Sequence, residues 1–64
     1  MNERLRLLSK QKGVSQKAVA EAIGVTLREY SNYEQGIREP NIQILVNICR
    51  YYEITFDYLL RLED

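Results

Sequence analysis

The stretch Ser15-Gln16-Lys17-Ala18-Val19-Ala20-Glu21-Ala22-Ile23-Gly24-Val25-Thr26 decides the fold. Val19, Ala20 and Ile23 fall at i, i+1 and i+4, one face of a helix. Ser15 stands one residue before that pattern, where its hydroxyl can accept from an orphan N–H of the first turn. Gly24 suits the left-handed position that closes a helix. Thr26 is again a capping residue, and Tyr30 and Tyr33 behind it share a second helical face. Two helices, at about 16–23 and 27–35, are therefore joined by Gly24-Val25-Thr26 alone. So short a turn forces them to cross steeply, and Ala20 is small enough to let the second helix come close. The crossing should bury Val19, Ile23, Val25, Tyr30 and Tyr33.

The same punctuation continues outward. Leu5 and Leu8 repeat at helical spacing before Gly13. Gly36 and Pro40 precede a wide stripe of Ile42, Leu45, Ile48, Cys49 and Tyr52, and Phe56, Leu59 and Leu60 form a short last one. Asn2, Asn41 and Thr55 stand where caps are needed. The expectation is an all-α, compact five-helix fold, with helices at about 3–12, 16–23, 27–35, 42–52 and 56–61. Continuous strand alternation is absent.

Sixty-four residues predict a single domain spanning 1–64, since a second would need roughly 50 residues more. Nine basic and nine acidic side chains cancel, which argues against a polybasic tail that binds bulk charge. The cancellation hides a gradient. Residues 1–13 carry Arg4, Arg6, Lys10 and Lys12 against Glu3, whereas residues 41–64 carry Arg50 and Arg61 against Glu53, Asp57, Glu63 and Asp64. One cysteine allows neither an internal disulfide nor a cysteine-built zinc site. The lack of histidine removes the commonest general base and metal ligand, so no metal, cofactor or enzymatic activity is expected. No apolar run approaches the ~20 residues of a membrane span. A soluble, cytoplasmic protein is the expectation.

The central run resembles the "SQxxLAxxxGVS" helix-turn-helix of the phage Cro/C1 repressor family, also called the XRE family. Tyr30-Ser31-Asn32-Tyr33-Glu34-Gln35-Gly36 with Arg38-Glu39-Pro40 is similar to its "YSxYExGxREP" stretch, and Ile54-Thr55-Phe56-Asp57-Tyr58-Leu59-Leu60 to its "VSxDYLL" ending. The resemblance covers nearly the whole chain. It implies a lambda-repressor-like domain and a sequence-specific, double-stranded DNA-binding transcriptional regulator of repressor type. Helix 27–35 would enter the major groove, and a homodimer would sit on an operator of two half-sites.

Site residues follow from the matched positions. Ser15, Gln16 and Lys17 open helix 16–23, whose N-terminus suits a phosphate; Gln16 matches a backbone clamp, and Ser15 is primarily a cap. Thr26 stands at the entrance of the reading helix. With Tyr30 and Tyr33 inward, Leu27, Arg28, Ser31 and Asn32 face the groove. Arg28 can grip guanine with its fork or hold a phosphate, and Asn32 can pair with an adenine edge. Leu27 departs from the family's usual polar residue and can meet a thymine methyl. Glu29 would repel phosphates unless it meets cytosine N4 or pairs with Arg28. Gln35 and Arg38 lie on a second phosphate-contacting edge, with an ion pair to Glu39 or Glu34 as the alternative for Arg38. Tyr30 and Tyr33 are expected in the core with wet hydroxyls, and Cys49 as a buried, inert thiol.

One further departure concerns the core. The family has an arginine late in the first helix that pairs with the glutamate matching Glu34; here Ser9 stands there. Glu34 is therefore expected to be partly solvated, or met by the Ser9 hydroxyl, a tyrosine hydroxyl or Arg38. The apolar segment from Tyr51 to Leu62 exceeds what the core needs and predicts dimerisation there. A different class of function is a protein-interaction module on the same fold, such as the antitoxin of a toxin–antitoxin pair. Zero net charge and Glu29 on the reading helix favour that alternative.

Overall fold

Four helix starts are fixed by side chains that satisfy orphan backbone N–H groups. Ser15 Oγ accepts from Ala18 N at 3.1 Å, Thr26 Oγ1 from Glu29 N at 3.1 Å, Asn41 Oδ1 from Ile44 N at 2.9 Å and Thr55 Oγ1 from Tyr58 N at 3.1 Å. The computed structural model describes residues 1–60. Its elements are α1 (Asn2–Lys12), α2 (Gln16–Ile23), α3 (Leu27–Gln35), α4 (Ile42–Tyr52) and α5 (Phe56–Leu60). The described residues are all-α, as expected; Arg61 and Leu62, assigned above to the last helix and the apolar segment, lie outside them.

The fifth expected cap is not one. Asn2 lies inside α1, whose N-cap is Met1 with no side-chain cap bond. The Met1 carbonyl already accepts from Leu5 N at 3.0 Å, so the first turn closes one residue early. Asn2 packs instead against Gly36, where a Cβ would stand 3.1 Å from the Asn2 amide nitrogen. Gly36 also holds φ +77°, so two constraints select glycine there. The end of α4 carries no glycine. Glu53 takes the left-handed position with φ 56° and ψ 50°, a conformation disfavoured for a residue with a Cβ.

The core gathers Leu5 and Leu8 from α1, Val19, Ala20 and Ile23 from α2, Tyr30 and Tyr33 from α3, Ile48 and Cys49 from α4, and Leu59 from α5. The crossing of α2 and α3 is thus buried on both sides, with Val25 half-buried in the turn between them. Asn47 of α4 donates through Nδ2 to the Ile23 carbonyl at 3.1 Å and so closes the end of α2. The stripe expected on α4 starts late: Ile42 is 77% exposed. It is the first residue of its helix, and Cα–Cβ bonds tilt toward the N-terminus, so its side chain projects past the helix end.

Two basic residues of α1 lie over tyrosines from the other end of the chain. Arg4 stands 4.2 Å from the Tyr58 ring centroid and Lys12 stands 5.0 Å from that of Tyr51. Both are cation–π distances. Part of the basic charge read from residues 1–13 therefore faces aromatic rings of α4 and α5.

Candidate nucleic-acid interface

At about 100° per residue, Leu27, Ser31, Gln35, Arg28 and Asn32 fall in that order around α3 within an arc of about 140°. Tyr33 and Tyr30 lie on the far side and are buried, and Glu34, also buried, borders the arc beside Leu27. Leu27, Arg28 and Gln35 are exposed, and Ser31 and Asn32 are half-buried. Five of the expected contact residues thus share one continuous face. Gln35 Nε2 donates to Ser31 Oγ at 2.8 Å, which aligns two of them along the helix.

Glu29 stands outside that arc, and its role differs from the expected one. Its Oε1 accepts from Thr26 N at 3.1 Å while Thr26 Oγ1 accepts from Glu29 N, a reciprocal capping box. Hydrogen bonding from the Thr26 backbone first, and then from its side chain, holds the Glu29 carboxyl below its ordinary value, helped by the charge of Arg38. Glu29 therefore stabilises the start of α3. The same bonds engage Thr26 in the cap. Arg38, in the loop after α3, is exposed.

At the mouth of α2, Ser15 and Lys17 are exposed and Gln16 is half-buried. Gln16 has a partner that was not expected. Its Nε2 donates to Glu34 Oε1 at 3.0 Å. Glu34 is 4% exposed, so it is not partly solvated; Gln16 is none of the three candidates named for it, whereas the Tyr30 hydroxyl, one of them, interacts with its carboxyl. Ser9 Oγ donates to the Arg6 carbonyl at 3.0 Å instead. The second carboxyl oxygen, Oε2, is buried without a hydrogen-bond partner among the described residues.

Tyr30 is fully buried, and its hydroxyl is not wet: it lies 3.2 Å from the Tyr52 hydroxyl. Burial above all, then its interactions with the Tyr52 hydroxyl and the Glu34 carboxyl, pushes its phenol far above the ordinary range. Burial likewise raises Tyr52 and the Cys49 thiol, which disfavours the thiolate form. Among the described residues no cluster of three metal-ligating side chains occurs, and no helix is long and apolar enough to cross a membrane.

This arrangement, a capped helix, a three-residue turn and a second helix with a polar outer arc, is matched by a helix-turn-helix family model over residues 4–59. The chain belongs to the Cro/C1-type helix-turn-helix family. This helix-turn-helix chain is 39% identical over 63 residues to the uncharacterized HTH-type transcriptional regulator YqaE of Bacillus subtilis, covering 98% of the chain and 54% of that protein. It spans about half the length of the curated relatives it matches. Its fold matches the P22 c2 repressor protein, solved in complex with synthetic operator 9T, with a TM-score of 0.91 and 29% identity, covering 97% of this chain and 94% of that one. It also matches the clp gene regulator ClgR from C. glutamicum with a TM-score of 0.82 and 27% identity, covering 94% and 78%. Three features of the site were missed in the sequence: the Glu29 capping box, the Gln16–Glu34 bond and the Tyr30–Tyr52 bond.

Proposed function

We propose that this helix-turn-helix domain binds double-stranded DNA sequence-specifically and acts as a transcriptional regulator, repressing by occupying an operator. The observation that carries the reading is the outer arc of α3. Leu27, Arg28, Ser31, Asn32 and Gln35 share one face, clamped from behind by buried Tyr30 and Tyr33. Arg28 and Asn32 read base edges in the major groove and Leu27 meets a thymine methyl. Ser15, Gln16 and Lys17 at the mouth of α2, Thr26 at the entrance of α3, and Arg38 in the following loop hold the backbone. The match to a repressor crystallised on an operator supports this placement. The domain works in the cytoplasm without catalysis, cofactor or metal.

A homodimer brings two reading helices onto two half-sites. The contact lies at the α4–α5 end, where Phe56 is 43% and Leu60 37% exposed. Beside them a groove is lined by Val46, Cys49, Arg50, Ile54, Thr55 and Phe56. The second reading, a protein-interaction module of antitoxin type, is favoured by Ile37 and Ile42, exposed at 65% and 77% around the loop after α3.

Selection from a random duplex pool tests the choice. The regulator reading predicts an enriched motif with two-fold symmetry. Recovery of no preferred sequence, with weak binding to every duplex, refutes it and leaves the interaction module.

A further inference from the structure

We infer that Glu34 is a positioning residue: it orients the Gln16 amide at the mouth of α2 so that the free N–H of that amide meets a DNA phosphate. The inference rests on the reading that α2 and α3 bind duplex DNA. Gln16 does not lie on the outer face of its helix. It shares the inward stripe of Val19, Ala20 and Ile23, three, four and seven residues on. Being in the first turn, it is half-buried rather than enclosed, and its Nε2 reaches Glu34 Oε1 at 3.0 Å. A primary amide is planar and carries two donors. Holding one on Glu34 fixes the direction of the other, which would otherwise have to be ordered when DNA arrives.

Burial makes Glu34 a costly group for its position. It is buried, and its second oxygen has no partner among the described residues. The Tyr30 hydroxyl interacts with the carboxylate and also lies 3.2 Å from the Tyr52 hydroxyl, so it is shared between the two. Replacing a buried charge with an apolar side chain of similar volume is often neutral or stabilising. A negative group behind a phosphate site also weakens attraction to the phosphate. What Glu34 offers that an apolar residue does not is an acceptor for the Gln16 amide and the Tyr30 hydroxyl, and of these two only Gln16 stands at the mouth of α2.

Two substitutions separate the acceptor from the charge. Glu34→Gln removes the charge and keeps an accepting oxygen, whereas Glu34→Leu removes both. On duplexes recovered by selection, Glu34→Gln should bind as tightly as wild type or tighter, and Glu34→Leu about 10-fold more weakly than Glu34→Gln. In a Gln16→Ala background that difference should vanish, because the positioned group is gone. Equal affinities for the two variants with Gln16 present, or the same difference with Gln16→Ala, would overturn the proposal while leaving DNA binding intact. Failure of wild type to hold any selected duplex would overturn both. Should Glu34→Leu not fold, the wild-type protein still decides by NMR. Without DNA, one Gln16 side-chain amide proton should exchange slowly and its partner freely, and duplex should shift the free one. Two protons exchanging alike, or no shift on adding duplex, would overturn the assignment.

Discussion

The α2–α3 pair and the α4–α5 end are built to different standards of closure. In α2–α3 both starts are capped by hydroxyls, both ends close on left-handed glycines, and the outer arc of α3 is almost wholly polar. At the other end α4 stops on a glutamate in the left-handed region, and Phe56, Tyr58 and Leu60 keep exposed rings or branches. The first region presents a capped, mostly polar face; the second leaves apolar surface to be covered. The contrast suggests a division of labour, with α2–α3 facing DNA and α4–α5 facing a second copy.

The sharpest way to break that contrast is to remove the group that holds the reading helix from behind. Tyr30→Ala empties a fully buried site and should cost about 3–5 kcal/mol, enough to unfold a domain of this size, as chemical denaturation would show. If Tyr30→Ala leaves the denaturation midpoint unmoved, the reading helix is not held by its core face.

Phe56→Ser with Leu60→Ser tests the other region. Sedimentation should show dimerisation weakened by about 5- to 150-fold, since two partly exposed apolar side chains contribute roughly 1–3 kcal/mol when covered. Monomer stability should move little. A dimer of unchanged strength would place the two-fold contact elsewhere.

Much of this was legible in the sequence, and the misses have physical causes. Caps at Ser15, Thr26, Asn41 and Thr55 and the left-handed glycines are local rules, so helix boundaries followed from residues a few positions apart. The buried face of α3 followed from the spacing of Tyr30 and Tyr33. The Thr26–Glu29 capping box was equally local and was overlooked because Glu29 was weighed only for its charge. The position of Gln16 on the Val19–Ala20–Ile23 stripe was also readable, but its partner Glu34 is 18 residues away, and only packing brings them together. Glu53 gave no signal, because nothing in its side chain marks a left-handed position. Ile42 misled because periodicity ignores that the first side chain of a helix projects beyond it.

Arg28→Ala sharpens the account of the polar face. It should relax selection at one base position per half-site and cost about 1–3 kcal/mol of discrimination there. Uniform weakening at every position would instead make Arg28 a phosphate contact. The smallest effect is expected from the stop of α4. Glu53→Gly should raise stability by about 0.5–1 kcal/mol by relieving the left-handed strain, measured as a higher denaturation midpoint. A lower midpoint would mean that the glutamate side chain supports the α4–α5 turn.

The claim that the α2–α3 pair and the loop after it meet the DNA backbone is tested most directly by operator affinity measured against salt. Each phosphate contact releases counterions and adds about −0.9 to the slope of log K against log salt. The account predicts a steep linear fall that Arg38→Ala makes shallower by about 1, with weaker binding at all sites alike. A flat dependence for wild type, or a slope that Arg38→Ala does not change, would contradict it.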